Sequence, residues 1–434
     1  YKVLKGDLAR SLRLNSNRFG IEIELAARLS RLQARIIEIP TQYNPRTKDE
    51  GKKITTADGL AAIFHILRYN IFDTQPFRSG SRLARYELRP RLRTLAVFVF
   101  FAALVIRLGF VFQWFETVYG YAPLLDARSY DDWAKTIVDG HFLRDKAFYQ
   151  SPLYPYWLAG IYKFFGHDLQ IVAIIQAGLG ALTCAILSVV TTRSFGIWAG
   201  ALAGLLATLY RPLIFYTAPA MKETLALFLL TLLMLFVTKA LNKKRKRDFV
   251  YAGLSLGLAT LSRGNALLLW PVIGLFVFFA CGRNRKSLAR FAAFSLAVSL
   301  TILPATLHNY VVSHDFVLLN YTGGFNFFLG SSSTTTGSNA YPPEISTEPK
   351  QEELDITRIA EKQTGRQLKP SEVSQFWFQR GLRYIEQNPM HQFAALLNKT
   401  LYFWNDFEQP DNYDINFISS EMPTLLQWPL FSFG

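Results

Sequence analysis

The stretch Thr94-Leu95-Ala96-Val97-Phe98-Val99-Phe100-Phe101-Ala102-Ala103-Leu104-Val105-Ile106-Arg107-Leu108-Gly109-Phe110-Val111-Phe112-Gln113-Trp114-Phe115 decides the fold. About 20 apolar residues, rising roughly 1.5 Å each, cross a hydrocarbon core of roughly 30 Å, so this stretch reads as a transmembrane helix. Arg107 interrupts it and must face protein or snorkel. Six more apolar segments follow: Leu169–Thr191, Phe195–Tyr216, Pro219–Leu241, Phe249–Ser262, Ala266–Ala280 and Leu288–Leu307. The last three are bounded by basic residues, the run Lys243-Lys244-Arg245-Lys246-Arg247 and then Arg283, Arg285 and Lys286. Arg78, Arg82, Arg85, Arg89, Arg91 and Arg93 precede the first span. Clustered Lys and Arg mark the cytoplasmic side. The chain therefore predicts a mainly α, polytopic transmembrane helix bundle of seven spans, with its N-terminal part in the cytoplasm. Asp126, Glu223, Arg263 and His308 then collect at the opposite, outer face.

Composition agrees with a membrane protein. Of 434 residues half are apolar, and Phe alone numbers 36. The net charge of +15 sits in runs that flank apolar spans, which argues against a nucleic-acid partner. Cys184 and Cys281 both lie in apolar segments and suggest helix packing, with no disulfide framework and no zinc site. The histidines are scattered and suggest no metal. The sequence starts at Tyr1 and closes on an apolar stretch, 425–434, that reads as the start of a further span, so a piece of a longer protein is expected. The expected divisions are a soluble part over 1–72, a basic linker over 73–93, the transmembrane core over 94–307, and an extracytoplasmic loop region over 308–424. No internal repeat is evident.

The N-terminal part mixes elements. Ile21–Leu29 reads as an amphipathic helix, Arg35–Pro40 as a short strand ended by proline, and Gly59–Phe72 as a second helix with one apolar face. Asn17-Arg18-Phe19-Gly20-Ile21-Glu22-Ile23-Glu24, Glu38-Ile39-Pro40, and Pro45-Arg46-Thr47 with Glu50-Gly51-Lys52-Lys53-Ile54 carry a resemblance. They resemble the C-terminal end of family 2 glycosyltransferases of the dolichyl-phosphate mannose synthase type. The resemblance implies a small α/β piece, the end of a GT-A domain, whose Arg46, Lys52 and Lys53 contact a lipid phosphate. That family's nucleotide-binding half and its acidic metal motif are absent from the sequence, so a divalent metal would belong to that missing half.

Downstream, Leu125-Asp126-Ala127-Arg128-Ser129-Tyr130-Asp131-Asp132-Trp133 follows the first span directly. Leu153–Phe165 is apolar, aromatic and too short to span, so an interfacial helix is expected. Moving a sugar off a lipid phosphate requires a carboxylate to take the acceptor proton and cations to hold the departing phosphate. Asp126 suits the first role and Arg263 the second, because arginine is permanently charged and grips phosphate with a fork of donors. The long loop after the seventh span holds helices around Ser371–Asn388 and His391–Phe403.

The order of these parts resembles the GT-C membrane glycosyltransferases of the family 39-like branch, which includes protein O-mannosyltransferases and the lipid A aminoarabinose transferase. The residues that carry it are Asp126 with Tyr130, Ser151-Pro152-Leu153-Tyr154-Pro155, Met221 with Glu223, and Leu261-Ser262-Arg263. Leu303-Pro304, Asn309-Tyr310 and Gly323-Gly324-Phe325-Asn326 complete the set. The resemblance implies an inverting transfer from a polyprenyl-phosphate sugar at the periplasmic face of a cell inner membrane, with Asp126 as the catalytic residue and Arg263 and Tyr310 at the donor phosphate. Two departures stand out. Gln150-Ser151 occupies a place where some members have Lys, and His308 a place where many have Arg, so Lys222 or His308 is expected to help grip the phosphate. Tyr130 and Glu223 complete the candidate set.

Plainer readings exist for each residue. Asp126 suits a helix N-cap, Asp131 and Asp132 a solvated helix face, Glu223 a span-end anchor, and Arg263 a snorkelling helix end. A transporter or flippase of lipid-linked sugars is the rival function. Its sites lie near the bilayer midplane, often between repeated halves. A membrane-anchored binding or polymer-assembly protein is a third reading, in which Asp126 is dispensable. No cofactor is required beyond the donor. The sugar stays open, as does the acceptor: protein, lipid or glycan.

Overall fold

Backbone that crosses hydrocarbon must satisfy its own N–H and C=O groups, and helices do so within one segment. A computed structural model describes residues 82–282, 284–332, 335, 341–405, 412–422 and 424–428, with scattered positions between 3 and 69. The described residues contain helices and turns, and no strand. Arg46, Lys52 and Lys53 lie outside the described residues, as does most of the strand expected over Arg35–Pro40.

In chain order the helices are α1 (Gly6–Ser11), α2 (Gly20–Arg31), α3 (Arg82–Trp114), α4 (Leu125–Val138), α5 (Leu153–Phe165) and α6 (Leu169–Phe195). Then come α7 (Ile197–Leu209), α8 (Arg211–Phe215), α9 (Glu223–Lys243), α10 (Lys246–Ser262), α11 (Leu269–Cys281) and α12 (Arg285–Ser313). The last are α13 (Gly323–Leu329), α14 (Pro349–Thr364), α15 (Pro370–Gln387), α16 (Pro389–Trp404) and α17 (Ile415–Glu421).

Among the described residues five stretches are long and apolar enough to cross a bilayer: Leu92–Trp114, Leu169–Phe195, Glu223–Lys243, Gly264–Cys281 and Arg285–Ser313. The remaining two apolar segments are helical but shorter, 13 residues in α7 and 17 in α10. The stretch from 195 to 216 divides because Pro212 opens a separate short helix, α8. Proline has no N–H to continue the ladder and restricts the residue before it.

The chain forms two compact units, one of residues 1–97 and 188–203, the other of 98–187 and 204–434. In the first, α2 contains the expected amphipathic stretch, and Glu24 on it accepts from Arg28 Nε at 2.8 Å and from the Ser16 N–H at 2.6 Å.

In the second unit α10 lies against both α9 and α12. Gly253 and Gly257, one helical turn apart, allow the approach to α12. A Cβ on Gly253 would stand 2.3 Å from the Phe294 carbonyl oxygen, and one on Gly257 2.5 Å from Thr301 Cβ. Small residues four apart let membrane helices come together in this way. Arg107 is buried and faces protein. Its Nη1 donates to the Ala103 carbonyl at 3.3 Å, and its Nη2 to the Ala207 carbonyl at 3.1 Å and Cys184 Sγ at 3.2 Å. Cys184 is therefore a partner of this arginine as well as a packing residue.

The segment after α12 folds on aromatics. Trp377 of α15 meets Phe325 and Phe328 of α13 at ring-centroid distances of 5.2 and 4.8 Å. Gly324 sets this spacing, because a Cβ there would stand 1.8 Å from the Ser374 carbonyl oxygen, whereas nothing lies within 4 Å of one on Gly323. Gly324→Ala should therefore destabilise the protein by about 1–3 kcal/mol or more, since backbone rather than a side-chain tip must move. Gly323→Ala should be close to neutral. Thermal melting of the two variants side by side checks this, and equal midpoints would contradict it.

Candidate active site

Leu125 begins α4 with φ +44°, the left-handed region that a non-glycine residue rarely adopts. Such strain costs about 1–3 kcal/mol and survives only where neighbours impose it. Here residues 412–413 do so: the Leu124 N–H donates to Tyr413 Oη at 3.2 Å, and the Asp126 N–H to Asn412 Oδ1 at 2.9 Å. Asp126 stands in the first turn of α4, and its side chain makes no capping bond to the helix. It turns instead to Gln150, Tyr130 and Lys222.

The carboxylate is one-quarter exposed. Oδ1 accepts from Gln150 Nε2 at 2.8 Å. Oδ2 lies 3.4 Å from Tyr130 Oη, which donates to it, and 3.7 Å from Lys222 Nζ. Lys222 Nζ in turn donates to Tyr130 Oη at 2.7 Å and stands 5.3 Å from that ring's centroid. Tyr130 is fully buried and meets Tyr154 edge-on at 5.4 Å. Tyr154 Oη donates to Gln176 Oε1 at 2.7 Å, and Gln176 Nε2 donates to the carbonyls of Thr217 and Pro219 at 3.1 and 2.9 Å. That chain of bonds fixes the turn that delivers Lys222.

Burial pushes the Tyr130 phenol well above its ordinary range, so it stays neutral. Burial alone would lower Lys222, but Tyr130, Asp126 and Glu223 outweigh it and hold the ammonium above the usual lysine value.

Glu223 opens α9, and its Oε1 lies 3.3 Å from Arg263 Nη2. Arg263 follows the last residue of α10 in extended backbone and is 46% exposed. Tertiary structure thus gathers Asp126, Tyr130, Lys222, Glu223 and Arg263 from three separate helix ends.

It does not bring the other two candidates into that group. His308 stacks on Phe148 at 4.3 Å, with its Nε2 3.3 Å from the Lys146 carbonyl oxygen. Tyr310 is 57% exposed and makes no hydrogen bond to the cluster. Their neighbour Asn309 is buried and structural: Oδ1 accepts from the Phe148 N–H at 2.8 Å, and Nδ2 donates to the carbonyls of Val317 and Leu319 at 3.0 and 2.9 Å.

Asp131 differs from the solvated residue expected. It is 3% exposed and joins α4 to α5. Tyr162 Oη donates to its Oδ1 at 2.6 Å, His167 Nε2 lies 2.8 Å from the same oxygen, and Lys135 Nζ is 2.6 Å from Oδ2. Burial would raise this carboxyl, but the bonds from Lys135, Tyr162 and His167 prevail and hold it below the ordinary aspartate range. A depressed folded-state value gives stability that is present above the unfolded value and lost as pH falls through the folded one. Asp131→Asn should cost about 1–3 kcal/mol at neutral pH. The gap in melting temperature between variant and wild type should narrow in acid; a constant gap would refute this.

Three participants escaped sequence reasoning. Ser129 Oγ donates to Gln150 Oε1 at 2.9 Å, which fixes the amide so that its NH2 faces Asp126. Gln150 was visible only as a departure from a family pattern. Asn412 lies 286 residues from Asp126, and no local signal marks it. Among the described residues no group of His, Cys, Asp and Glu is placed to hold a metal.

Residues 149–308 match the family model of dolichyl-phosphate-mannose-protein mannosyltransferases. No curated protein matches the chain. The matched stretch contains Gln150, Lys222, Glu223 and Arg263 and stops short of Asp126. Residues 1–148, including the stretch resembling family 2 enzymes, lie outside it. Together with the five long apolar helices, the match supports a multi-pass membrane glycosyltransferase of the GT-C type.

Proposed function

We propose that this protein transfers a sugar from a polyprenyl-phosphate carrier to an acceptor hydroxyl, with inversion at the anomeric carbon. The observation that carries the reading is the single cluster of a partly exposed carboxylate, Asp126, with two cations, Lys222 and Arg263, at helix ends. In the reaction the acceptor oxygen attacks the anomeric carbon and gives its proton to Asp126. The bond from that carbon to the phosphate oxygen breaks, and the electron pair leaves with the phosphate. Lys222 and Arg263 stabilise the charge that grows there. Arg263 is available for this because its guanidinium is itself nearly half exposed. Tyr130 and Gln150 hold the carboxylate and ammonium in place.

The basic runs at 243–247 and 285–286 occupy the opposite ends of α9, α10 and α12 from Lys222 and Arg263. With basic ends in the cytoplasm, the cluster faces the periplasm. The test is incubation of the reconstituted protein with a polyprenyl-phosphate sugar of known anomeric configuration. One polyprenyl phosphate should be released per sugar transferred, with the opposite anomer in the product. Movement of intact carrier across the bilayer without cleavage would favour a flippase instead.

A further inference from the structure

Asp126, Ser129, Trp133 and Thr136 lie at helical spacing on one stripe of α4. The last three line a cleft of about 450 Å³, walled on the far side by Lys350 and Glu353 of α14. That volume lies within the range of small-molecule sites, roughly 300–1,000 Å³. Gln150 also lines the cleft, and its amide donates to Asp126 Oδ1 at 2.8 Å, so this residue joins the cleft wall to the carboxylate through the oxygen other than the one nearest Lys222.

The cleft's charges are not alike. Lys350 is balanced, with its Nζ 3.3 Å from Asp132 Oδ2. Arg144 is not. Its guanidinium lies 4.5 Å from the Trp133 ring centroid, half-buried, and among the described residues no carboxylate pairs with it. Trp133 is itself buried, and its indole N–H has no hydrogen-bond partner. Lys146 lines the same cleft, also without an ion pair among the described residues. An arginine held over an aromatic ring loses little freedom when its fork of donors meets an oxyanion, which takes two parallel N–H···O bonds.

We propose that this cleft, on the transferase reading above, binds the acceptor, and that the acceptor carries a phosphate or carboxylate group held by Arg144 while its hydroxyl reaches Asp126. Donor and acceptor then approach Asp126 from opposite sides: the donor phosphate along Lys222 and Arg263, the acceptor past Ser129 and Gln150.

Equilibrium dialysis of the full chain in neutral phosphatidylcholine nanodiscs, against empty discs, tests this without turnover. The probes are methyl glucoside, methyl glucoside 6-phosphate and methyl glucuronide. One anionic probe should bind about tenfold or more tightly than the neutral one, and which of the two does so identifies the group. Arg144→Ala should erase the difference and Arg144→Lys keep part of it. Arg383→Ala, which removes an exposed charge on α15, should keep it whole. A polyprenyl phosphate should not displace the probe. Equal binding of all three probes, no binding of any, an unchanged Arg144→Ala variant, or displacement by polyprenyl phosphate would each overturn the proposal. If wild-type protein releases no sugar from the carrier while the charge preference stands, it is the transferase reading that falls. If sugar is released without any preference, only the acceptor assignment falls.

Discussion

Asp126→Asn should lower sugar transfer by two to four orders of magnitude while leaving the protein folded. A positioned general base contributes about 10²–10⁴-fold, and asparagine keeps the shape of the side chain but has no lone pair of comparable basicity. The fold should tolerate the change. The Asp126 N–H to Asn412 Oδ1 bond is main chain to side chain and stays, and the new amide oxygen can still accept from Gln150 Nε2. Lys222 keeps Tyr130 and, more distantly, Glu223 for partners. The loss should therefore lie in kcat, with the KM for the polyprenyl-phosphate sugar changed little, because the cations that meet the phosphate are untouched. Single-turnover transfer in nanodiscs, beside a thermal melt, measures both. Transfer within a few-fold of wild type by a folded variant would remove Asp126 from the mechanism.

Lys222→Met is the second large effect expected. Removing one charged donor from a preorganised site of developing negative charge costs about 10²–10³-fold in kcat. Methionine matches the stem of lysine and suits the buried surroundings, so lost charge rather than lost packing is what the variant reports. Lys222→Arg should recover part of the rate, since the charge returns even though the single bond to Tyr130 Oη at 2.7 Å is remade by a different shape. The neighbours that raise Lys222, Tyr130 first and then Asp126 and Glu223, also predict its pH behaviour. Lys222 remains protonated beyond the ordinary lysine value of about 10.4, so no loss of transfer below that pH should trace to it. A Met variant with wild-type turnover would show that the departing phosphate is stabilised elsewhere, with Arg263 the first alternative.

The two effects draw on different parts of one hydrogen-bonded chain, Lys222 to Tyr130 to Asp126, and should not add when combined. Tyr130→Phe provides the intermediate case, because it keeps the ring against Tyr154 and removes the hydroxyl that links the other two.

Local sequence was enough to make this chain a helical membrane protein. A segment such as Thr94–Phe115 has one stable form in hydrocarbon, because only a helix pairs all its backbone groups internally. Period and length also marked Leu153–Phe165 as a separate short helix, and α5 has those bounds. They did not show that the stretch from 195 to 216 divides at Pro212, where a single residue without an N–H outweighs a continuous apolar run. Asp131 and Asp132 looked alike in sequence, two acids on one helix. Only the arrival of Tyr162 and His167 from the far end of α5 and the loop after it makes one a buried link and leaves the other half-exposed.

The site shows the same division. Sequence by itself determined the residue types and the helix ends on which Asp126, Glu223 and Arg263 stand, because charge is expelled from apolar spans toward their ends. Tertiary structure alone decided which of those ends meet. It joined Lys222 to Tyr130 and Asp126, left Tyr310 exposed, and brought Gln150 to the Asp126 carboxylate and the distant Asn412 to the Asp126 backbone N–H. The physical reason is range. Hydropathy and backbone pairing act within a segment and can be read along the chain, whereas a hydrogen bond or ion pair reaches about 3–4 Å and exists only once packing has set the helices side by side.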